Sequence, residues 1–254
     1  WGRQILIGHG AFLELLVMAL AQQGVASEVL LWPQGEMPAA LKDWDDRPVA
    51  RITLKPGSQP DPLFAQVLLR RTPKTDFDTT RAIAPGVLAQ LLGSAPAEAP
   101  LSVGGTVSAD QLPALRTLCW ESARVELLTP RTMMESIQLT RVGPGEILQH
   151  RDGISINSPF VRAVDALGMF DRTQPPAEGS AAYKSAMGRF EGHSRTAMGF
   201  VWITGPNTRS DQIRTGRLYV RQQLQATALG VGMHPMSQAV QELSLIHISE
   251  PTRP

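Results

Sequence analysis

The sequence predicts an α+β fold, and three observations carry that reading. Segments with helical periodicity outnumber extended apolar ones. The extended segments do not alternate with helices as regular βαβ units do. The chain has 254 residues, 43% of them hydrophobic and 19% charged, so it can bury a sizeable core in one large domain or two small ones.

Residues 8–23 read as a helix stopped by Gly24. Residues 28–32 and 49–54, rich in Val, Leu and Ile, read as strands. Pro33-Gln34-Gly35 and residues 55–60 read as turns or loops. Residues 61–71 are expected to be helical, with Asp61 as N-cap and Pro62 at the first position. Leu63, Phe64, Val67 and Leu68 recur at spacings of three and four and predict one buried stripe. A short helix is expected over 85–92, and a loop over the small, Pro/Ala/Gly-rich stretch 93–106. Residues 110–127 and 131–140 read as helices, 143–157 as irregular with short helical pieces, 174–179 as a loop and 180–191 as a helix. Residues 196–204 are β-compatible. A long helix over 210–229 is expected, capped by Ser210 or Asp211 and ended by Gly230, with Ile213, Arg217, Val220, Leu224 and Thr227 on one face.

The formal charge of +1 gives no reason to expect nucleic acid or an anionic membrane as partner. The longest apolar run, 11–21, carries Glu14 and falls short of the roughly 18 residues that span a bilayer. A single cysteine, Cys119, rules out an internal disulfide and a cysteine-only metal site. Beside Trp120 in an amphipathic stretch, it reads as a core thiol.

The chemistry-bearing segment is Arg70-Arg71-Thr72-Pro73-Lys74, at the expected end of the helix over 61–71. Arg offers a fork that matches phosphate or a ring carbonyl, Lys a point charge, and Thr a small donor. Such a cluster suits a phosphorylated cofactor. The competing reading is a solvated basic helix end favoured by the helix dipole.

One internal echo is visible. Gly10 and Gly24-Val25 stand as far apart as Gly216 and Gly230-Val231, with thirteen residues between the glycines of each pair. A glycine inside a helix costs about 1 kcal/mol against alanine, so it usually marks a close helix contact. Two such helices suggest a tandem duplication, with coincidence as the alternative.

Together these pieces resemble the FMN-dependent nitroreductase superfamily, in its Acg-like FMN-binding branch. Arg70-Arg71-Thr72-Pro73-Lys74 followed by Phe77 looks like the family's Arg-x-Ser/Thr-x-Lys/Arg flavin motif. Gly216-Arg217 through Ala226-Thr227-Ala228-Leu229-Gly230 looks like its long core helix. Met233-His234-Pro235-Met236-Ser237-Gln238 looks like the loop lying against the flavin ring. Residues 2–25 and the Trp32–Gly35 turn look like the first half of the branch.

The resemblance implies a nitroreductase-like α+β sandwich of tandem repeats that form an internal pseudo-dimer, monomeric when full length. Residues 1–60 would be the C-terminal part of a truncated first repeat, and 61–242 a second repeat cut at its C-terminus. Residues 243–254 resemble one reading frame of a sequencing-library adapter and are expected to be an artefact. The chain begins at Trp1 and is expected to be a fragment. The implied cofactor is FMN, with NAD(P)H as electron donor and a nitro or quinone-like small molecule as acceptor. Arg70, Arg71, Thr72 and Lys74 would meet the phosphate, the ribityl chain and the N1/O2 edge. Pro235, Met236, Ser237 and Gln238 would line the ring, with backbone N–H groups of Ser237 and Gln238 facing O4 and N5. No side chain is expected to be catalytic, because the flavin carries the electrons. Ser237 and Gln238 stand where the family usually has acidic or glycine residues. The alternative is a flavin-storage protein with a covered ring. The resemblance fixes no compartment: it is compatible with a cytoplasmic protein, or with a periplasmic one if a twin-arginine signal precedes Trp1.

Other candidates carry less. Gly230-Val231-Gly232 follows a helix, not a strand, and is a poor dinucleotide fingerprint. His150-Arg151-Asp152-Gly153 reads as a turn. His9, His193 and His234 lack ligand-like spacing and read as structural or surface residues. The loop 174–179 with Tyr183 is a candidate lid, and a plain surface connection is the simpler reading.

Overall fold

The computed structural model describes residues 2–73, 75–93 and 100–240. Lys74, part of the expected loop over 93–106 and the adapter-like tail therefore lie outside the described residues. The fold is α+β, and the chain divides into two units. The first comprises Trp1–Pro73, Asp78–Leu112 and Met198–Pro235, the second Lys74–Phe77, Pro113–Ala197 and Met236–Pro254.

The first unit is organised by two long helices, α1 (Gly2–Gln22) and α8 (Arg209–Ala228). α1 starts earlier than the periodicity predicts and stops as expected, with Gly24 at φ +72 and its N–H donating to Ala21 O. α8 is capped by Thr208, two positions before Ser210 and three before Asp211, and its side chain accepts from the Asp211 N–H. Gly230, at φ +70, ends it. Strands β1 (Val25–Leu31) and β2 (Ala50–Pro56) pair antiparallel from Val25↔Pro56 to Leu31↔Ala50. Val29, Leu31, Ala50 and Ile52 of this sheet cover the buried Leu6, Leu13 and Ile213 of the two helices.

The two helices meet at their glycines. A Cβ on Gly10 would stand 1.9 Å from Ile213 O and 3.0 Å from Gly216 Cα. A Cβ on Gly216 would stand 1.9 Å from Ile7 O and 2.9 Å from Ala11 N. The contact is reciprocal: each glycine lies on the carbonyl three residues before the other. Only glycine allows two backbones this close.

α1 corrects one expectation. By length and composition it is apolar enough to cross a membrane, although no uninterrupted apolar run in it reaches that length. Within this fold it packs along α8, with Leu6, Leu13 and Met18 buried. Glu14, only 2% exposed, is paired with Arg217 Nε at 2.7 Å and Arg221 Nε at 2.5 Å, so the one carboxylate of the helix is spent on α8.

Helix α2 (Pro85–Gly93) follows the expectation. The stretch read as a loop instead contains β3 (Ser102–Thr106), antiparallel to β6 (Phe200–Thr204). Its glycines hid it. A Cβ on Gly104 would run into the Trp202 indole, and one on Gly105 would meet Leu88 Cδ1 and Phe200 O at 2.9 Å.

The second unit holds α3 (Leu112–Leu128), α4 (Pro130–Gln138), β4 (Thr140–Val142), α5 (Gly143–Gln149), β5 (Ile154–Ile156), α6 (Pro159–Ala166) and α7 (Ala181–Thr196). β4 and β5 pair in parallel. Thr140 begins a strand, where a helix end was expected. No element was expected over α6, which Ser158 caps with Pro159 at its first position. Gly153, at φ +72, makes the expected turn after Asp152, which pairs with Arg141 at 3.0 Å.

Candidate functional site

The basic segment is set up by Asp61. Its Oδ1 accepts from the Leu63 N–H at 2.9 Å, as an N-cap should, and its Oδ2 accepts from Arg221 Nη2 at 2.8 Å. The helix it starts is a 3-10 helix, Pro62–Gln66, and it ends well before residue 71. That corrects the predicted stripe. Leu63, Phe64 and Val67 pack against Met18, Val220 and Leu224, but Leu68 is 83% exposed. At three residues per turn, position 68 falls over the exposed Ala65 and not over Phe64. Residues 70–73 are not helical, so the helix-end explanation of the basic cluster loses its helix.

Arg70 and Arg71 diverge. Arg71 is exposed and turns back on its own chain, donating through Nη1 to Leu68 O and Arg70 O, both at 2.7 Å. Arg70 is half-buried and reaches α8, where Nη1 donates to Gln223 Oε1 at 3.0 Å. Two other arginines of α8, Arg217 and Arg221, are neutralised by Glu14 and Asp61. Among the described residues no carboxylate pairs with Arg70.

Gln223 is 3% exposed. A guanidinium has no acceptor, so the amide must turn its oxygen to Arg70 and its NH2 away. That buried Nε2 has no hydrogen-bond partner. It lies beside the Tyr219 phenol, near enough to affect its titration but without a well-formed bond. Burial pushes the Tyr219 pKa up, and the Arg70 charge and the Gln223 amide only partly offset this, so the phenol stays protonated. Donors outnumber acceptors here. An orphaned buried donor, an un-neutralised guanidinium and a protonated phenol together fit a ligand edge rich in acceptors, such as phosphate or a ring carbonyl.

The second expected motif reaches the first through His234. Its Nδ1 donates to Pro73 O at 2.7 Å, which joins segments 161 positions apart in sequence. With Nδ1 carrying the proton, the tautomer is fixed. His234 thus ties down the turn that presents Arg70, a role its isolated position in sequence did not suggest.

Arg70, Arg71, Thr72 and Pro235 fall in the first unit. Met236, Ser237 and Gln238 belong to the second, and Lys74 is outside the described residues. Gln238 opens a short 3-10 helix, Gln238–Val240, in which the Val240 N–H donates to Ser237 O at 3.0 Å. Gln238 Oε1 is buried without a partner.

Tyr219 and Gln223 escaped the sequence reading because they sit among core positions of α8. The one available signal was the pair Gln222-Gln223 inside an apolar pattern, since buried amides demand partners. Gln222 directs its NH2 to Leu91 O at 2.8 Å.

Elsewhere, Cys119 is half-buried and its thiol is pushed up to about 11 by burial, as suits a core residue and not a nucleophile. The second unit has an open cleft of about 540 Å³ lined in part by Gly143, Glu146, Arg162 and Asp165, none of them an expected site residue. Among the described residues no group of three or more His, Cys, Asp or Glu could hold a metal ion. No protein-family model matches the chain, and no curated protein matches it.

Proposed function

We propose that the chain is an FMN-binding oxidoreductase of the nitroreductase type, built from two tandem repeats that form an internal pseudo-dimer. The observation that carries the reading is the convergence at Arg70. The basic motif and the first residues of the ring-facing loop, far apart in sequence, are bonded to each other through His234 and Pro73. The guanidinium they present is not neutralised by any described carboxylate. The reciprocal crossing of Gly10 and Gly216 supports the repeat, because a duplicated helix is expected to meet its copy through equivalent residues.

Arg70 would hold the acceptor edge of FMN, assisted by Thr72 and Lys74, and Arg71 would add charge from the exposed side. Bound there, FMN would supply electron transfer at N5, from NAD(P)H to a nitro or quinone-like acceptor. The chain's own task is to bind and orient: the His234–Pro73 bond fixes the turn, and Gln223 fixes the guanidinium. A flavin-storage protein is the second reading. In it the ring is covered and turns over little.

The test is binding. The protein should quench FMN fluorescence on titration and prefer FMN to FAD. Replacing Arg70 and Lys74 together by Ala should weaken binding by about 2–5 kcal/mol, since charge-assisted bonds are worth roughly 1.5–3 kcal/mol each. No change in flavin fluorescence would refute the reading.

A further inference from the structure

We infer that Gln223 and Tyr219 are functional parts of the Arg70 site: Gln223 positions the guanidinium, and its NH2 and the Tyr219 hydroxyl donate to the acceptor edge of the bound ligand. The inference rests on the FMN reading above and names residues that reading does not contain.

Three observations carry it. The first is the bond from Arg70 Nη1 to Gln223 Oε1, 3.0 Å long and made to a side chain only 3% exposed. Burial restricts the rotamers open to the amide, so its bond sets the direction of the long Arg70 side chain. The second is the orphaned Nε2. Leaving a buried donor unmade is costly, and a ligand acceptor would remove that cost.

The third comes from the helix crossing. Ile7 and Gly10 of α1 correspond to Ile213 and Gly216 of α8 through their reciprocal contacts. The same offset pairs Tyr219 with Leu13 and Gln223 with Val17. The crossing packs with apolar residues at those positions on α1, with Leu13 inside the core. The Tyr219 ring packs on Met18, Val220 and Leu224, but its hydroxyl and the Gln223 amide have no counterpart at the equivalent positions of α1. They place polar chemistry on the α8 side alone.

Arg70, Gln223 and Tyr219 form a chain in which an amide polarised by a cation stands beside a phenol. The hydrogen bond that Arg70 makes to the amide oxygen polarises the amide and makes its N–H groups better donors. An acceptor-rich ring edge or a phosphate oxygen completes it, whereas a cation is repelled.

The test uses FMN as probe and four variants, with affinity, thermal melting and the midpoint potential of bound FMN as readouts. In Gln223→Glu the new carboxylate pairs with Arg70 and removes the two N–H donors. FMN affinity should fall at least roughly tenfold, the size expected for a charge-assisted bond, and the potential should drop because the cation beside the ring is neutralised. Gln223→Leu should weaken affinity by a smaller factor. Tyr219→Phe, which removes only an oxygen, should weaken it by about threefold and keeps the test valid if the Gln223 variants fail to fold. Melting should otherwise stay near wild type, since a purely structural role would move melting and leave the potential alone. Wild-type affinity and potential in Gln223→Glu or Tyr219→Phe, with Arg70→Ala impaired, would overturn the inference and leave the FMN reading standing. No FMN binding by the wild-type protein would overturn both.

Discussion

Gly10→Ala is the sharpest perturbation of this fold. The added Cβ would stand 1.9 Å from Ile213 O and 2.8 Å from Ile213 C, and ordinary contact begins near 3.4 Å. Both atoms are main chain, so no side chain can swing away and α1 must retreat from α8. Retreat loosens two buried clusters, Leu6/Leu13/Ile213 and Met18/Val220/Leu224. A radial gap of about 0.5–1 Å already forfeits a quarter to a half of each contact. The bonds from Arg217 and Arg221 to the buried Glu14 stretch with it. Overpacking alone costs about 1–3 kcal/mol. With the loosened clusters and carboxylate the expected loss is about 3–5 kcal/mol, against a helix-propensity gain of about 1 kcal/mol. Gly8→Ala is the control: in the same helix, with nothing within 4 Å of its new Cβ, it should stabilise by that same ~1 kcal/mol. Urea unfolding followed by circular dichroism measures both. If Gly10→Ala unfolds no more readily than Gly8→Ala, the glycine crossing is not what holds these helices together.

His234→Ala removes the donor to Pro73 O and should cost about 1 kcal/mol of stability and weaken FMN binding, whereas His9→Ala, which loses only a bond to Ile5 O of its own helix, should leave FMN affinity unchanged; calorimetry and flavin titration distinguish them. With FMN bound, anaerobic NADH or NADPH should bleach the flavin within seconds to minutes and a nitroaromatic should restore the colour; rapid bleaching by dithionite alone favours the storage reading, and Gln238→Gly should then speed the nicotinamide reaction. In the second unit Arg172 binds Glu146 at 2.5 Å and holds its carboxyl down to about 2, by hydrogen bonding first. Because the folded pKa is depressed, this pair stabilises fully above the ordinary value of 4.5 and loses its effect as pH falls toward about 2, so the melting deficit of Arg172→Ala should shrink over that window; a deficit independent of pH would refute the assignment.

Much of the first unit was legible in the sequence because its signals are local. Gly24 and Gly230 end their helices through positive φ, and Asp61-Pro62 starts a helix by cap chemistry that acts within three residues. What was missed depends on distant partners. Gly104 and Gly105 look like loop residues until Trp202 and Phe200 lie across the strand. The segment after Pro62 has helical periodicity, but periodicity does not distinguish 3.6 residues per turn from three, and only the exposure of Leu68 reveals the difference. The basic motif could be read from side-chain chemistry alone. Its division into an Arg71 turned back on its own chain and an Arg70 held against α8 could not, because Gln223 decides it from 153 positions away.

The glycine crossing also governs when this core can form. Gly10 and Gly216 are separated by more than two hundred positions, so the contact closes one of the longest loops the chain allows. A ribosome adding about 5–20 residues per second takes roughly 10–40 s to travel that distance. Throughout that interval Leu6, Leu13 and Met18 have no α8 to cover them. The helix resembles a membrane span in composition and waits in water for its partner, and apolar surface left uncovered in this way is prone to aggregate until synthesis reaches α8.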